Sequence, residues 1–119
     1  MKVLFCILDD VEKLDDVLTE MNKGGISGAT ILTGRGMHRE LSSKYDEDEF
    51  EFLGSSKQYH KLKEQKEERS VIMSLLQDEQ VAAVVETIER IAGDLSQPDT
   101  GIVFTMPVDF AKGIREYGK

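Results

Sequence analysis

The sequence contains no tryptophan, two prolines and a single cysteine, and it lacks any long apolar run. Cys6 has no partner for an internal disulfide, which is typical of proteins from reducing compartments. The apolar runs fall far short of the roughly 20 residues that cross a bilayer, and Met1-Lys2 opens no signal-peptide pattern. We therefore expect a cytoplasmic protein that does not insert into membranes.

Positive charge is also scarce, because 15 Lys and Arg stand against 23 Asp and Glu, for a net charge of −8. A general nucleic-acid binder would need an excess of cations on one face, so we expect no nucleic-acid partner. A nucleotide stays compatible with this balance, since backbone N–H groups and two or three local cations can hold a phosphate. No recognisable nucleophile elbow or Ser-His-Asp or Cys-His arrangement is present, which favours a non-enzymatic protein.

The two histidines, His38 and His60, lie in the polar middle of the chain beside an acidic run at 46–51. Neither has the spacing of a metal-ligand pair, so we expect no metal site. The acidic run is interpreted as a solvated loop face, or more sharply as a docking surface for a basic partner.

Four apolar runs of strand length lie at 3–8, 26–33, 71–76 and 102–108. Between the first and second runs, apolar residues recur at helical spacing from Val11 to Met21. Between the third and fourth runs, they do so from Val81 to Ala92. We expect Asp9 or Asp10 to cap the first helix, Gly24-Gly25 to end it, and Asp78 to cap the second. The order βαβ–βαβ predicts a ferredoxin-like α+β fold, in which both helices cover one face of a four-stranded antiparallel sheet.

The whole chain, 1–119, is read as one domain with a long polar excursion at 37–69 and a short tail at 109–119 that could be helical. Because the strands are almost continuously apolar, the uncovered sheet face should be buried by oligomerisation. Gly34-Arg35-Gly36 closes the second strand, either as a phosphate-approaching turn or as an ordinary strand end. The polar turn at 96–101 has the same two interpretations.

Two motifs resemble those of a known family. Lys13-Leu-Asp-Asp-Val17, followed by Gly25-Ile-Ser-Gly-Ala-Thr30, resembles the first half of the PII signalling proteins. The excursion at 37–69 then stands where that family carries its T-loop. Gly101-Ile-Val-Phe104 resembles the end of the family's B-loop and its fourth strand. The stretch 104–109 is also similar to PII-like relatives that are not nitrogen regulators.

The resemblance implies a homotrimer with three nucleotide sites in the clefts between subunits. Each site would combine the T-loop base and B-loop of one cleft with basic residues from the tail of the neighbouring subunit. The residues that it assigns to nucleotide binding are Thr30, Gly34, Arg35, Gly36, Met37, Asp99, Thr100, Gly101, Lys112 and Arg115. ATP, ADP or AMP would bind reversibly, with or without Mg²⁺, and no cofactor would be held permanently.

The chain departs from the family pattern at three positions. His38 replaces the second glycine of the family's Gly-Phe-Gly, Ile102 falls on the B-loop lysine, and Glu40 falls near the glutamine that helps hold Mg²⁺ and 2-oxoglutarate. A carboxylate there would repel a dicarboxylate. Neither Tyr45 nor Tyr59 lies in a motif that would mark it for uridylylation.

We therefore expect a PII-like regulator with an altered phosphate site, which acts through its loop on a membrane transporter or a metabolic enzyme. The alternatives are a cyclic-dinucleotide receptor, or a trimeric metal-binding or structural protein on the same scaffold, like the divalent-cation tolerance proteins.

Overall fold

The computed structural model describes residues 1–37, 40–41 and 68–114. Most of the predicted excursion at 37–69 lies outside these residues, as do His38, His60 and Arg115. The described elements, in chain order, are β1 (Lys2–Leu8), α1 (Leu14–Lys23), β2 (Thr30–Gly34), β3 (Arg69–Leu76), α2 (Val81–Ala92) and β4 (Gly101–Pro107). The described part of the tail, 109–114, forms no helix.

The four strands form one antiparallel sheet in the order β2-β3-β1-β4. The first strand therefore lies in the centre, and each βαβ half contributes one inner and one edge strand. This order is that of the split βαβ arrangement, so the predicted ferredoxin-like α+β fold is confirmed.

Each helix opens with one turn of 3₁₀ helix, and the two caps differ from each other. Asp10 caps the first, because its Oδ1 accepts a hydrogen bond of 3.0 Å from the Glu12 amide. The prediction that Asp78 caps the second helix is wrong. Gln77 is the N-cap, and its amide donates to Gln80 Oε1 at 2.8 Å in a capping box. Asp78 lies in the first turn instead, where its carboxylate is 3.1 Å from the N-terminal amine.

The core lies between the sheet and the two helices. Alternate residues of β1 and β3 face the helices, as the two-residue period of a strand requires. The fully or almost fully buried apolar residues are Leu4, Cys6, Leu8, Val17, Met21, Ile72, Leu76, Val84 and Ile88. The predicted inner faces of both helices are therefore confirmed. Burial raises the pKa of the Cys6 thiol to about 11, so it packs as a small apolar group.

The second strand begins four residues later than predicted, at Thr30 instead of Ile26. The Ile26 amide donates to the Met21 carbonyl at 3.0 Å, and the Gly25 amide donates to the Asn22 carbonyl at 3.1 Å. These two bonds, with a positive φ of 93° at Gly25, form a Schellman motif. Ile26 therefore completes the end of α1, which is why an apolar residue there does not belong to the strand.

The face of the sheet opposite the helices is apolar and is covered by no element of the described chain. Five of its side chains expose between 43% and 55% of their surface: Leu32, Leu75, Ile102, Phe104 and Met106. Near its centre the rings of Phe5 and Phe104 stack with their centroids 5.1 Å apart. Contiguous apolar surface of this kind is typical of an interface, so we call these residues the open face.

Candidate functional site

Strand register brings two distant glycine-bearing stretches to one end of the sheet. Gly34 pairs with Arg69, and Leu8 pairs with both Ser70 and Gly101. The residues that follow β2 and those that precede β4 therefore lie at the same end of the sheet but on its two opposite edges, with the start of β3 and the end of β1 between them. We call this end, formed by residues 34–37, 99–101, Asp9 and Arg69, the loop-base site. It contains seven of the ten residues predicted to bind nucleotide: Gly34, Arg35, Gly36, Met37, Asp99, Thr100 and Gly101.

Two other predicted residues, Thr30 and Lys112, lie elsewhere. They line a groove of about 1040 Å³ beside the open face, together with Gly28, Leu75 and Ile114. Thr30 opens the strand that Gly34 ends, and four strand steps separate them by roughly 13 Å. A single chain therefore does not bring Thr30 and Gly36 to the same phosphate. The tenth residue, Arg115, lies outside the described residues.

Gly36 is in direct contact with an arginine that sequence analysis missed. A Cβ placed on Gly36 would lie 2.9 Å from Cζ of Arg69, so the guanidinium group packs on the glycine backbone. Arg69 was assigned to the excursion at 37–69, whereas the structure makes it the first residue of β3. Its position directly before the apolar run at 71–76 was the available signal.

Arg69 is also bound to a carboxylate from the central strand. Its Nε lies 3.4 Å from Oδ1 of Asp9, the residue that follows β1. The Arg69 side chain is 43% exposed and that of Asp9 is 27% exposed. The guanidinium group is thus accessible from solvent while it contacts both Gly36 and Asp9.

The second cation of the site, Arg35, has its own acidic partner. Its guanidinium nitrogen lies 3.3 Å from the Glu40 carboxylate. The Glu40 amide donates to the Gly36 carbonyl at 3.0 Å, so the chain enters a helical turn directly after Gly36. Met37, in this turn, points its side chain largely into solvent, with 73% exposed.

The turn before β4 has two unusual backbone positions. Asp99 has a φ of 64°, and Gly101 has a φ of 147°. A Cβ on Gly101 would run into the Ile7 carbonyl oxygen, so only glycine lets β4 approach β1 here. The Thr100 hydroxyl donates to the Gln97 carbonyl at 2.9 Å, which holds the turn closed. A left-handed residue in such a turn is a common component of backbone anion sites.

Carboxylates outnumber cations among the described residues at this end of the sheet. Arg35 and Arg69 are the cations, and Asp9, Asp10, Glu40 and Asp99 are the nearby acids. Each cation forms an ion pair with an acid of the same chain. The site therefore has a negative balance of charge before any ligand binds.

Within residues 1–37, 40–41 and 68–114, no group of three His, Cys, Asp or Glu residues is placed to hold a metal ion. His38 and His60, at which we expect no metal site, lie outside this part of the chain. No helix formed by the described residues has the length and apolar character that a membrane span needs.

The fold and the loop-base site together define an α+β domain of the ferredoxin-like class, with a glycine-bearing strand end and a left-handed turn at the same end of the sheet. The family model described as "Nitrogen regulatory protein P-II" matches residues 1–117. Since this match covers almost the entire chain, the chain belongs to that family of regulatory signalling proteins. No curated protein matches the chain at the significance required.

Proposed function

We propose that this protein is a PII-like signal-transduction protein that binds an adenine nucleotide in the clefts of a homotrimer. The observation that carries the proposal is the placement of residues 34–37 and 99–101 at the same end of the sheet, on either side of the start of β3 and the end of β1. These stretches are more than 60 residues apart in sequence, and the resemblance assigned both to the nucleotide. Sheet register places both stretches at this end of the sheet independently of that resemblance.

The phosphates would lie across the loop-base site. Gly36 and Gly101 leave room for close approach to the backbone, and Arg35 and Arg69 supply positive charge. A nucleotide phosphate is well matched to a guanidinium group, which offers several N–H donors in a plane. Ile102 replaces the family's lysine, and Glu40 repels a dicarboxylate, so ATP, ADP or AMP is a better ligand than 2-oxoglutarate.

The open face supports assembly into a trimer. Burying apolar surface contributes roughly 25 cal/mol per Å², so five half-exposed side chains in contact with other subunits would stabilise an assembly substantially. Trimer formation would also give Thr30 and Lys112 a role, because a neighbouring subunit can present them to a cleft that lies away from the groove they line in their own chain. The resemblance assigns the same role to Arg115.

The bound nucleotide would act on the partner through the segment at 37–69. Gly36 joins the site to this segment, because its carbonyl accepts the Glu40 amide and Arg35 pairs with the Glu40 carboxylate. A ligand that contacts Gly36 or Arg35 therefore biases the conformation of the chain that follows. The partner would be a membrane transporter or a metabolic enzyme, regulated in the cytoplasm without catalysis by this protein.

Isothermal titration calorimetry with ATP, ADP, AMP and cyclic dinucleotides, each with and without Mg²⁺, tests the proposal. We expect saturable binding of at least one adenine nucleotide with one site per subunit. Binding of none of them at millimolar concentration would refute the nucleotide proposal, and selective binding of a cyclic dinucleotide would replace the adenine nucleotide as ligand.

The variant Gly36→Asp locates the cleft. Its carboxylate would be directed at the Arg69 guanidinium group and would occupy the place proposed for a phosphate. We expect nucleotide affinity to fall at least tenfold while the thermal midpoint and the oligomeric state are retained. Gly24→Ala is the control, because Gly24 ends α1 away from the loop-base site and a Cβ there would make only ordinary contacts of 3.5 Å. Wild-type affinity in Gly36→Asp would mean that the site lies elsewhere.

A further inference from the structure

Asp9 occupies the middle of the loop-base site. Leu8, the last residue of β1, is paired on one side with Ser70 and on the other with Gly101. Asp9 therefore leaves the sheet between the strand that carries Arg69 and the strand that begins at Gly101. An anion that bridges the two halves of the site must pass over this carboxylate.

We propose that Asp9 determines the specificity of this site as an internal counter-ion, which competes with the ligand's anionic group for Arg69. This inference rests on the proposed nucleotide function and deepens it. The carboxylate stands 3.4 Å from the arginine Nε, which is the place that a phosphate oxygen would take. The site therefore discriminates by ligand charge, and it favours nucleotides with fewer phosphates or with a bound cation.

The ion pair is weak enough to be exchanged. Partly exposed pairs of this kind contribute little to stability, so a phosphate can replace Asp9 at Arg69. The displaced carboxylate stays tethered to the end of β1, a few ångströms from the bound anion, and repels it. Arg35 does not compensate for this repulsion, because Glu40 already pairs with it.

The neighbouring acid, Asp10, serves a different purpose. Its carboxylate caps the 3₁₀ turn through the Glu12 amide at 3.0 Å, whereas Asp9 reaches across to Arg69. Of these two successive acids, Asp10 therefore caps the start of a helix and Asp9 pairs with a cation. Among the described residues, Asp9 forms an ion pair with Arg69, which contacts Gly36.

The test compares calorimetric affinities of the full-length wild type, Asp9→Asn, Arg69→Gln and the double variant for AMP, ADP and ATP without Mg²⁺. We expect Asp9→Asn to bind ATP roughly threefold to tenfold more tightly than the wild type, with a smaller gain for AMP. The gain should disappear in the Arg69→Gln background, because the competition needs both residues. Asp15→Asn removes an equal charge from an exposed position on α1 and should change each affinity less than twofold.

Adding Mg²⁺ should reduce the advantage of Asp9→Asn for ATP, because the cation lowers the ligand charge that Asp9 opposes. Asp9→Ser provides a second route to the same charge removal if the asparagine variant unfolds. When the wild type binds nucleotide and neither Asp9 variant binds ATP more tightly, the inference about Asp9 is overturned while the proposed function stands. When no variant binds any nucleotide, the proposed function itself is overturned.

Discussion

Replacing Gly101 by alanine tests the geometry on which the loop-base site depends. The residue has a φ of 147°, which L side chains rarely adopt, and its added Cβ would collide with the Ile7 carbonyl oxygen. Neither the Ile7 carbonyl nor the Gly101 backbone can move at low energetic cost, because Ile7 belongs to the central strand and Gly101 is paired with Leu8. The substitution must therefore displace the start of β4 from β1.

Two contributions set the size of this effect. A backbone forced into a sparsely populated conformation costs about 1–3 kcal/mol, and an overpacked contact costs roughly 1–3 kcal/mol more. We expect Gly101→Ala to lower the free energy of unfolding by about 2–6 kcal/mol. A domain of this size has about 5–15 kcal/mol in total, so the variant should be strongly destabilised or unfolded.

Gly28→Ala serves as the matched control for Gly101→Ala. No atom lies within 4 Å of its added Cβ and its φ lies outside the left-handed region, so it should be neutral or stabilising by up to about 1 kcal/mol. Urea unfolding followed by circular dichroism, at one fixed protein concentration, measures both variants. Equal midpoints for Gly101→Ala and Gly28→Ala would refute the close approach of β4 to β1.

Three further predictions concern the open face, acid stability and the buried thiol. If the proposed trimer forms through the open face, Phe104→Glu should dissociate it at micromolar concentration, whereas Ala83→Glu, on the exposed side of α2, should leave it intact in analytical ultracentrifugation. A hydrogen bond from the N-terminal amine lowers the pKa of Asp78 in the folded state, so its contribution to stability is present above the unfolded pKa and is lost on acidification. The free energy of unfolding should therefore fall less steeply in Asp78→Asn than in the wild type below about pH 4, and equal slopes would contradict this pairing. Cys6 should react with a thiol reagent at pH 8 only when the protein unfolds, since its pKa is about 11 and its side chain is inaccessible; rapid labelling of the native protein would contradict its burial.

Local patterns predicted the elements well, and failed where a neighbouring group decided the boundary. Ile26 has the apolar character of a strand residue, but its amide closes the end of α1. Asp78 is a good N-cap residue by type, yet Gln77 and Gln80 form the capping box and Asp78 pairs with the N-terminal amine. In both cases the residue type was compatible with two structures, and hydrogen bonds selected one.

The residues of the candidate site were likewise predictable only in part. Gly36 and Gly101 could be identified because glycine at a strand end is a local signal, and the P-II resemblance assigned both to a nucleotide. Asp9 could not, because it looks ordinary in its own segment, and the position of Arg69 before the apolar run at 71–76 predicts a strand start but no binding role. Their ion pair joins the ends of two strands that are about 60 residues apart in the chain.

The sequence by itself determined the α+β class, the two amphipathic helices and the apolar open face. These follow from periods of 3.6 and 2 residues, which are properties of short segments and need no knowledge of the rest of the chain. Only the tertiary structure decided which segment ends meet. Strand register sets Leu8 between Ser70 and Gly101, and that register places Asp9 beside Arg69, whose guanidinium group contacts Gly36.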